Sequence, residues 1–389
     1  MRNSPIKILF IGKRSYNNTG SYDYEYLRRL NESNLNVSIF YACSSLYDQK
    51  IIRKIKYLKL FKYNKLSIIR KSFSYINSLI ILVKFIHKNK PDVIHLQWLL
   101  FPLIDLIWLK AIKLIGWNGL IVITIHNAKS RQTSVTNYFL NICYKQIDHF
   151  IVHSLKCKEH LIAKYDFLKS YSIFEGRHGL INLKNYETLK NEELRNYSKI
   201  CKLRKKYKNL YVYIGNLTKY KGFDLLINAW ANYKKFSQNK GDSALIILGK
   251  ADKNIRNFLR KNIITDNSIL IYNEYVSDKL ISLTIDNSDY ILLPHRYISH
   301  SGIHSSLLRK GKPFIYNNNK NNHMISHKYF RQTGIAFDND IFSLSNLFLK
   351  IENSKIKFKY IDKNWKRAID YFSWKNSFPD KLLYRIYQK

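Results

Sequence analysis

Short apolar runs alternate with longer amphipathic segments along the chain, and this alternation constrains the fold more than any other feature. In the first half the apolar runs predict strands at Ile6–Ile11, Val37–Tyr41, Val93–Leu96, Leu120–Ile125 and His149–Val152. In the second half they predict strands at Leu210–Ile214, Ala244–Leu248, Ile269–Tyr272, Tyr290–Leu293 and Pro313–Tyr316. Strands that alternate with helices form parallel sheets, so we predict an α/β protein in which this pattern occurs twice.

The length of 389 residues accommodates two such domains. Helical spacing of apolar residues is found between the strands, for example at Tyr24–Leu30, Gly222–Phe236 and Lys279–Ile285. The polar stretch Asn182–Lys206 separates the two series of strands and is predicted to be a linker. We therefore expect an N-terminal domain over residues 1–185 and a C-terminal domain over residues 186–363.

Composition and cysteine usage limit the class of protein. A hydrophobic content of 46% is enough for packed cores and excludes global disorder. The four cysteines lie far apart without a CxxC pair, which favours a reducing, cytoplasmic compartment over disulfides or a zinc site. The first apolar run is interrupted by Lys7, and the most apolar segment by Pro102, Asp105 and Lys110. We expect neither a signal peptide nor a transmembrane span.

The chain carries 66 Lys and Arg against 27 Asp and Glu, a formal charge of +39. Such a charge attracts nucleic acid, anionic lipid or phosphorylated ligands. A general bias towards lysine explains part of the excess, but it does not explain local clustering. From Tyr290 to Phe337 there is not one Asp or Glu. Carboxylates are thus missing beside a predicted strand end, where they would repel an anionic ligand.

The segment "YVYIGNLTKYKGFDLLINAW" places basic residues between a strand and a helix. The strand ends at Gly215, the loop carries Lys219 and Lys221, and Gly222 opens an amphipathic helix. Free N–H groups and the dipole at a helix N-terminus attract phosphate, and a neighbouring lysine adds charge. The alternative is a lysine in solvent.

A second segment of the same kind follows the strand Tyr290–Leu293. Arg296 and His300 supply positive charge there, Ser301 can cap a helix, and Gly302 allows a ligand close to the backbone. Two anion-binding loops on one sheet suit a diphosphate.

Two loops in the first half are candidates as well. The loop Gly12–Ser21 contains two glycines and follows the first strand. His126 follows the strand Leu120–Ile125, at the edge of a parallel sheet where ligands bind. A single histidine is more often structural, and glycine-rich turns are common.

Several segments, taken together and in order, resemble the group 1 glycosyltransferases of the GT-B fold. They are "DVIHLQW", "TIHN", "GNLTKYKGFDLLINAW", "ALIILGKA", "NEYVSDKLISLTIDNSDYILLPHR", "SGIHSSLLRKGKPF" and "NWKRAIDYFSWKN". The resemblance implies two doubly wound Rossmann-like domains that face a central cleft, with a nucleotide-sugar donor in the C-terminal domain and an acceptor in the N-terminal domain. It also implies no obligatory metal or other cofactor, and a C-terminal helix over residues 364–389 that crosses back to the N-terminal domain.

The resemblance also assigns roles to residues. Lys221 is similar to the lysine that binds the donor diphosphate, His126 to the histidine that contacts the donor sugar, and the backbone at Tyr275–Val276 to the segment that receives the base. "GRHGL", residues 176–180, resembles a His-Gly loop of the first domain. We predict a catalytic role for His126, and donor contacts from Gly12, Gly215, Asn216, Lys221, Val276, Arg296, Ser301 and Gly302.

The sequence departs from the family pattern at two places. The paired glutamates of the family are absent, and Ser301–Gly302 occupies their region; Asn216 replaces an arginine. The resemblance still favours a retaining reaction. An inverting reaction would need a general base, for which Asp23 and Glu25 are candidates, although both are expected at the surface.

The predicted function is transfer of a sugar from a nucleotide sugar to a lipid-linked or polysaccharide acceptor in bacterial surface-glycan biosynthesis. A nucleotide-sugar epimerase of the same fold is an alternative, but it would need carboxylates near the sugar. A nucleic-acid-binding protein is another, but the tyrosines are scattered and no RNA-binding module is found.

The segment Lys50–Lys71 contains nine Lys and Arg and no acid. Its apolar residues Ile51, Ile55, Leu58 and Phe61 are three or four apart, so it is predicted to be an amphipathic helix. Such a helix can bind an anionic membrane surface, or simply pack on the sheet. We expect a peripheral protein on the inner face of the membrane.

Overall fold

The computed structural model describes residues 4–12, 20–44, 52–61, 68–126, 134–183, 188–237, 242–252, 255–256, 266–297, 302–354 and 362–388. The chain forms two compact units. Unit 1 consists of Met1–Gly179 and Ser373–Lys389, and unit 2 of Leu180–Phe372.

Unit 1 contains a parallel sheet of seven strands in the order β3-β2-β1-β4-β5-β6-β7. The strands are β1 (Ile6–Ile11), β2 (Val37–Ser44), β3 (Ile55–Phe61), β4 (Val93–Leu96), β5 (Leu120–Ile125), β6 (His149–Val152) and β7 (Ile173–Glu175). The helices are α1 (Gly20–Asn31), α2 (Ile68–Asn89), α3 (Pro102–Leu114), α4 (Ser134–Tyr144) and α5 (Leu155–Lys164). Helices α2 to α5 pack on one face of the sheet, and α1 packs on the other face.

Unit 2 contains a parallel sheet of six strands in the order β10-β9-β8-β11-β12-β13. The strands are β8 (Asn209–Ile214), β9 (Ser243–Leu248), β10 (Ile269–Tyr272), β11 (Tyr290–Leu293), β12 (Phe314–Asn317) and β13 (Gly334–Phe337). The helices are α6 (Asn191–Lys206), α7 (Phe223–Phe236), α8 (Asp278–Asp286), α9 (Gly302–Leu307), α10 (Lys328–Arg331), α11 (Ile341–Glu352) and α12 (Asp362–Tyr371). The central strands are apolar and fully buried, as both faces of the sheet require.

The predicted α/β class with two doubly wound sheets is confirmed, and all ten predicted strands are present. In each sheet the strand order reverses at one place: between β1 and β4 in unit 1, and between β8 and β11 in unit 2. Ligands of doubly wound sheets bind at the carboxyl ends of the strands beside this switch point.

The predicted helix Lys50–Lys71 is wrong. Ile55–Phe61 is the edge strand β3, parallel to β2, and α2 starts only at Ile68. Ile55 and Phe61 are buried at the two ends of the strand, and Lys56 and Lys59 between them are exposed. The pairing with β2 therefore overrides the three-residue spacing of the apolar side chains.

The predicted linker Asn182–Lys206 is wrong over most of its length, because residues 191–206 form α6. The Glu193 carboxylate accepts a hydrogen bond from the Lys190 N–H (3.1 Å), and Ile200 is fully buried. A capped end and one apolar stripe are enough for a helix.

The predicted single helix from residue 364 is also wrong. After α12 the chain forms two further helices, α13 (Trp374–Ser377) and α14 (Asp380–Tyr387). Pro379 is the N-cap residue of α14, and it separates the two helices because proline cannot continue α13. The two compact units divide at 179/180 and 372/373, whereas the sequence predicted domain limits at 185/186 and 363/364, which stay predictions.

Among the described residues, no helix combines the length and hydropathy needed to cross a bilayer.

Candidate functional site

Lys221 lies at the switch point of unit 2. It ends a 3₁₀ turn, Lys219–Lys221, between β8 and α7. Its ammonium lies against the backbone of Gly215, since a Cβ built on that glycine would be 3.1 Å from the Lys221 Nζ. Burial lowers the pKa of Lys221 below that of an ordinary lysine. An ammonium in such a place is stabilised by an anion.

His295 is the second basic residue at this switch point, two residues after the end of β11. It is buried, and burial together with the nearby Lys221 charge lowers its pKa to about 3. The imidazole is therefore neutral at physiological pH. The Lys221 ammonium thus lies against a glycine backbone, and the imidazole near it is neutral.

The loops after β8 and β11 are joined by backbone contacts. Gly222 has a left-handed conformation (φ 71°), and a Cβ there would lie 1.8 Å from the Pro294 carbonyl oxygen. The Arg296 N–H donates to the Tyr220 carbonyl (3.0 Å). Only glycine fits at position 222, and the contact fixes the turn that carries Lys221.

Arg296 lies in the same loop, but its guanidinium binds protein groups. It donates to both carboxylate oxygens of Asp224 (2.5 and 3.2 Å) and to the Lys219 carbonyl (2.6 Å). This bidentate pair fixes the Lys219–Lys221 turn to the loop after β11. In this arrangement Arg296 positions Lys221, and a direct contact with a ligand stays a prediction.

The other predicted donor residues of unit 2 lie around the same sheet edge. Asn216 is exposed, and its carbonyl accepts from the Tyr213 hydroxyl (3.0 Å). Val276 is partly buried and precedes Ser277, the N-cap of α8. Gly302 is exposed and begins α9, and a Cβ there would meet no atom within 4 Å. Ser301 and His300 lie outside the described residues.

At the switch point of unit 1, Gly12 contacts a buried carboxyl group. A Cβ on Gly12 would lie 2.3 Å from an oxygen of Asp23 and 2.8 Å from the Tyr41 hydroxyl, which donates to Asp23 (2.9 Å). Burial raises the pKa of Asp23 to about 7. Asp23 and Glu25 were expected at the surface, but both are buried. Asp23 lies against Gly12 and Tyr41 of the sheet, and Glu25 pairs with Arg28 (2.7 Å) on α1 itself.

His126 follows β5 and is almost fully buried. Its Nε2 lies 2.6 Å from the Gln97 amide oxygen, which can only accept, so this nitrogen carries the proton. The ring stacks on Trp98, with ring centroids 4.8 Å apart and planes at 16°. Gln97 and Trp98 directly follow β4, so two neighbouring strand ends fix the orientation of His126.

Gln97 is in turn part of a buried hydrogen-bond network. Its amide nitrogen lies 3.3 Å from the Thr124 hydroxyl, which lies 2.8 Å from His95 Nε2. His95 Nδ1 lies 2.5 Å from the hydroxyl of Tyr387 in α14. Burial lowers the pKa of His95 to about 3, so the network connects neutral groups from β4, β5 and the C-terminal helix.

Three imidazoles surround the ring of Tyr22 at the ends of β5, β6 and β7. The ring centroids of His126, His153 and His178 lie 4.7, 5.3 and 5.1 Å from that of Tyr22. Burial lowers the pKa of His153 to about 4 and of His178 to about 3. The imidazoles of His153 and His178 are therefore neutral. Together with Tyr22 and His126 they form a largely buried aromatic cluster with hydrogen-bonding atoms, which is a composition suited to a sugar or another polar organic ligand.

Sequence reasoning missed His295, Gln97 and His153. His126 was selected as a polar residue directly after an apolar strand, and this rule applies equally to Gln97 and His153. His295 is one residue further from its strand, after Pro294. A cavity of about 740 Å³ at the amino edge of the unit 1 sheet, next to Pro91 and Trp117, lies at the opposite edge from these residues. We regard the carboxyl edge as the candidate site, since ligands of doubly wound sheets bind there.

Within the described part of the chain, no cluster of three or more His, Cys, Asp or Glu could hold a metal ion.

Solved structures of known proteins share this architecture. The lipopolysaccharide outer core galactosyltransferase WaaB in its apo form is 16% identical, with a TM-score of 0.62 over 98% of this chain and 99% of that chain. HepE of Anabaena, in complex with UDP and glucose, is 13% identical, with a TM-score of 0.64 over 97% and 98%. A putative UDP-N-acetylglucosamine 2-epimerase from Listeria monocytogenes is 10% identical, with a TM-score of 0.57 over 97% and 94%. At these identities the likeness shows the fold.

The two Rossmann-like units thus have the GT-B fold. The family model Glycosyltransferase Family 4 matches residues 20–170, which lie in unit 1. Part of unit 1 is therefore similar to Glycosyltransferase Family 4, and the whole chain shares the fold of the GT-B proteins named above. No curated protein matches the sequence at a significant level.

Proposed function

We propose that the protein transfers a sugar from a nucleoside-diphosphate sugar to a lipid-linked or polysaccharide acceptor in bacterial surface-glycan biosynthesis, with retention of configuration. Unit 2 binds the donor and unit 1 the acceptor. The proposed enzyme needs no metal or other cofactor, and Lys221 supplies positive charge to the diphosphate. It works in the cytoplasm at the inner face of the membrane, and nucleic acid is not a partner.

The position of Lys221 carries this proposal. Its ammonium lies at the switch point against Gly215, and burial lowers its pKa. A diphosphate bound there stabilises the ammonium, and the ammonium stabilises the charge that develops on the leaving diphosphate. The glycine leaves room for phosphate oxygens next to the backbone.

His126 has a complementary role in the proposal. The hydrogen bond to Gln97 and the stacking on Trp98 fix its ring, so it contacts the donor sugar in one orientation. Gly12, Asn216, Val276, Arg296, Ser301 and Gly302 complete the proposed donor site, with Arg296 acting through the turn that it holds.

The test is sugar transfer by the purified protein from a panel of nucleotide sugars, with Lys221→Ala beside Lys219→Ala. Both lysines lie on one 3₁₀ turn, but Lys219 is exposed. We expect Lys221→Ala to lower kcat/KM by about 10²-fold or more, as for loss of a group that stabilises transition-state charge. Lys219→Ala should stay within about threefold of wild type. Equal activity of the Lys221→Ala variant and wild type would refute the role of Lys221.

The epimerase alternative is separated by one further reaction. A sugar nucleotide is incubated with the enzyme in the absence of any acceptor. Conversion to an epimer under these conditions would replace the transferase proposal, and no conversion supports it.

A further inference from the structure

Helices α2, α3 and α4 of unit 1 expose large apolar side chains on their outward faces. On α2 these are Phe73, Ile76, Ile80 and Ile81; on α3 Leu103, Ile107 and Leu114; and on α4 Val135 and Tyr138. Phe73 is 70% exposed and Ile107 61% exposed. The opposite side of each helix packs in the core, with Tyr75, Leu82 and Leu109 fully buried there. The helices are thus apolar on the core side and on the solvent side.

The three helices lie side by side, since α2 contacts α3 and α3 contacts α4. Their exposed apolar residues therefore belong to one surface, which we call the α2–α4 face. Contiguous apolar surfaces of this kind on a soluble domain mark sites of interaction with a partner.

The charges of the α2–α4 face have one sign. The three helices contain six Lys and Arg, namely Arg70, Lys71, Lys84, Lys88, Lys110 and Lys113. Their single acid, Asp105, is buried and accepts hydrogen bonds from the Tyr75 hydroxyl and the Phe101 N–H. The exposed part of the face therefore combines apolar groups with cations and has no acid, although it also carries neutral polar groups such as Asn77 and Ser134. This combination is the complement of an anionic lipid surface.

The α2–α4 face extends along the helices to the carboxyl edge of the sheet. Helices that connect parallel strands run antiparallel to them, so the first turns of α2, α3 and α4 lie near the carboxyl edge of the sheet. Phe73, Leu103 and Val135 are near these first turns, together with Arg70 and Lys71. Leu114, Lys88 and Lys113 are near the last turns. Both apolar and cationic groups of the face thus lie on the side of the sheet edge that we regard as the candidate site.

We propose that the α2–α4 face docks the enzyme on an anionic lipid bilayer, with Phe73, Ile80 and Ile107 inserted among the headgroups and the lysines against the anionic surface. This inference rests on the proposed action on a lipid-linked acceptor. It locates the contact on helices that the sequence had not indicated. The test measures vesicle binding alone, so this docking proposal can fail while the proposed sugar transfer still holds.

The experiment is co-sedimentation of the full-length protein with vesicles of phosphatidylcholine alone or mixed with phosphatidylglycerol at about 7:3. We expect at least tenfold stronger binding to the anionic vesicles at ~0.1 M salt, and weaker binding at ~0.5 M salt, where the screening length falls to a few Å. The double variant Phe73→Glu/Ile107→Glu should lose at least tenfold in binding. Its matched control is Phe236→Glu/Phe342→Glu, two residues of unit 2 that are 64% and 69% exposed.

A second pair of variants tests the cations. Lys84→Glu/Lys113→Glu should weaken binding to anionic vesicles and reduce its salt dependence. The control is Lys202→Glu/Lys205→Glu on α6 of unit 2, which changes the net charge by the same amount. This control should leave vesicle binding and its salt dependence unchanged. All eight substituted positions are exposed, so circular dichroism should show that each variant is folded. If Phe73→Glu/Ile107→Glu unfolds the protein, the two lysine variants still test whether the α2–α4 face binds the vesicles.

Three outcomes would overturn the proposal. Wild-type protein could fail to bind anionic vesicles, or the unit 2 controls could lose as much binding as the α2–α4 variants. Alternatively, ultracentrifugation could show a dimer that Phe73→Glu/Ile107→Glu dissociates, which would assign the face to a second copy of the chain.

Discussion

Asp23 combines complete burial with a raised pKa, and the cause is the low polarity around it. The Tyr41 hydroxyl donates to one carboxyl oxygen, and Gly12 lies against it. Among the described residues, the other oxygen has no hydrogen-bond partner. Burial raises the pKa from 3.8 to about 7, so the carboxyl group binds a proton more tightly in the folded chain than in the unfolded chain.

The folded state should therefore lose stability as the pH rises from about 4 to about 7, since the unfolded chain gives up this proton first. Asp23→Asn removes the titration but keeps the shape. We expect the variant to gain stability relative to wild type between pH 5 and pH 8, by about 2–3 kcal/mol at 1.36 kcal/mol per pKa unit. Urea unfolding of both proteins at the two pH values measures this. Glu32→Gln, at an exposed position of the same region, is the control; a difference that is independent of pH would contradict the raised pKa.

At the residue scale, the local sequence predicted where candidate site residues lie relative to the strands, but it did not predict which residues they contact. Lys221 and His126 were identified because each follows a strand that the sequence defines. The pairing of Arg296 with Asp224, 72 residues away along the chain, could not be predicted, because only the fold brings the loops after β8 and β11 together. The burial of Asp23 was missed for a related reason: an acid on a short helix gives no sign of which face it occupies.

At the element scale, the turn before α7 depends on one glycine. Gly222 has φ 71°, and the Pro294 carbonyl oxygen occupies the place of a side chain. Gly222→Ala therefore combines the left-handed backbone penalty of about 1 kcal/mol with a clash against the main chain of the loop after β11. We expect a loss of about 3 kcal/mol or more in the unfolding free energy of unit 2, and weaker binding of nucleoside diphosphate.

Gly302→Ala is the control for this prediction, because it lies in the same unit and an added Cβ meets no atom within 4 Å. It should change the unfolding free energy by less than about 0.5 kcal/mol. Chemical denaturation of the two variants measures the difference. Equal stability of both would mean that the loops after β8 and β11 can separate without cost.

The strands that sequence reasoning missed are all at sheet edges. These are β3 and β7 in unit 1 and β13 in unit 2. An edge strand pairs on one side only, so it does not need the continuous apolar run of a central strand. Of the four residues of Gly334–Phe337, only the last is buried, and Ile173–Glu175 has only three residues. Central strands such as β1, β5 and β11 could be predicted with their observed bounds because both faces are buried.

At the scale of the whole molecule, the C-terminal segment completes unit 1. Residues 373–389 belong to that unit, although the segment preceding them lies in unit 2. Trp374 and Phe378 pack on the loop after β7, where a Cβ on Gly176 would lie 2.2 Å from the Phe378 ring and one on Gly179 would lie 2.4 Å from Trp374. The two glycines of "GRHGL" therefore make room for the C-terminal helices.

Polar contacts hold the same segment on α1. The Arg29 guanidinium donates to the Phe378 carbonyl (2.9 Å) and pairs with Asp380 (2.5 Å). The Tyr387 hydroxyl lies 2.9 Å from that of Tyr26 and also contacts His95, which is part of the network that leads to Gln97 and His126. Packing of the last helix and the orientation of His126 are thus physically connected.

Phe378→Ala tests whether the C-terminal segment is an integral part of unit 1. The ring is fully buried among α1, the Gly176 loop and Trp374, so its removal should cost about 3–5 kcal/mol in the unfolding free energy of unit 1. Phe342→Ala, at a phenylalanine that is 69% exposed, is the matched control and should cost less than about 0.5 kcal/mol. Hydrogen exchange followed by mass spectrometry locates the effect: the Phe378 variant should lose protection in α1 and the loop after β7, and keep it in β8 and β9. Loss of protection confined to residues 373–389 would show that the segment is only an appendage of a unit that folds without it.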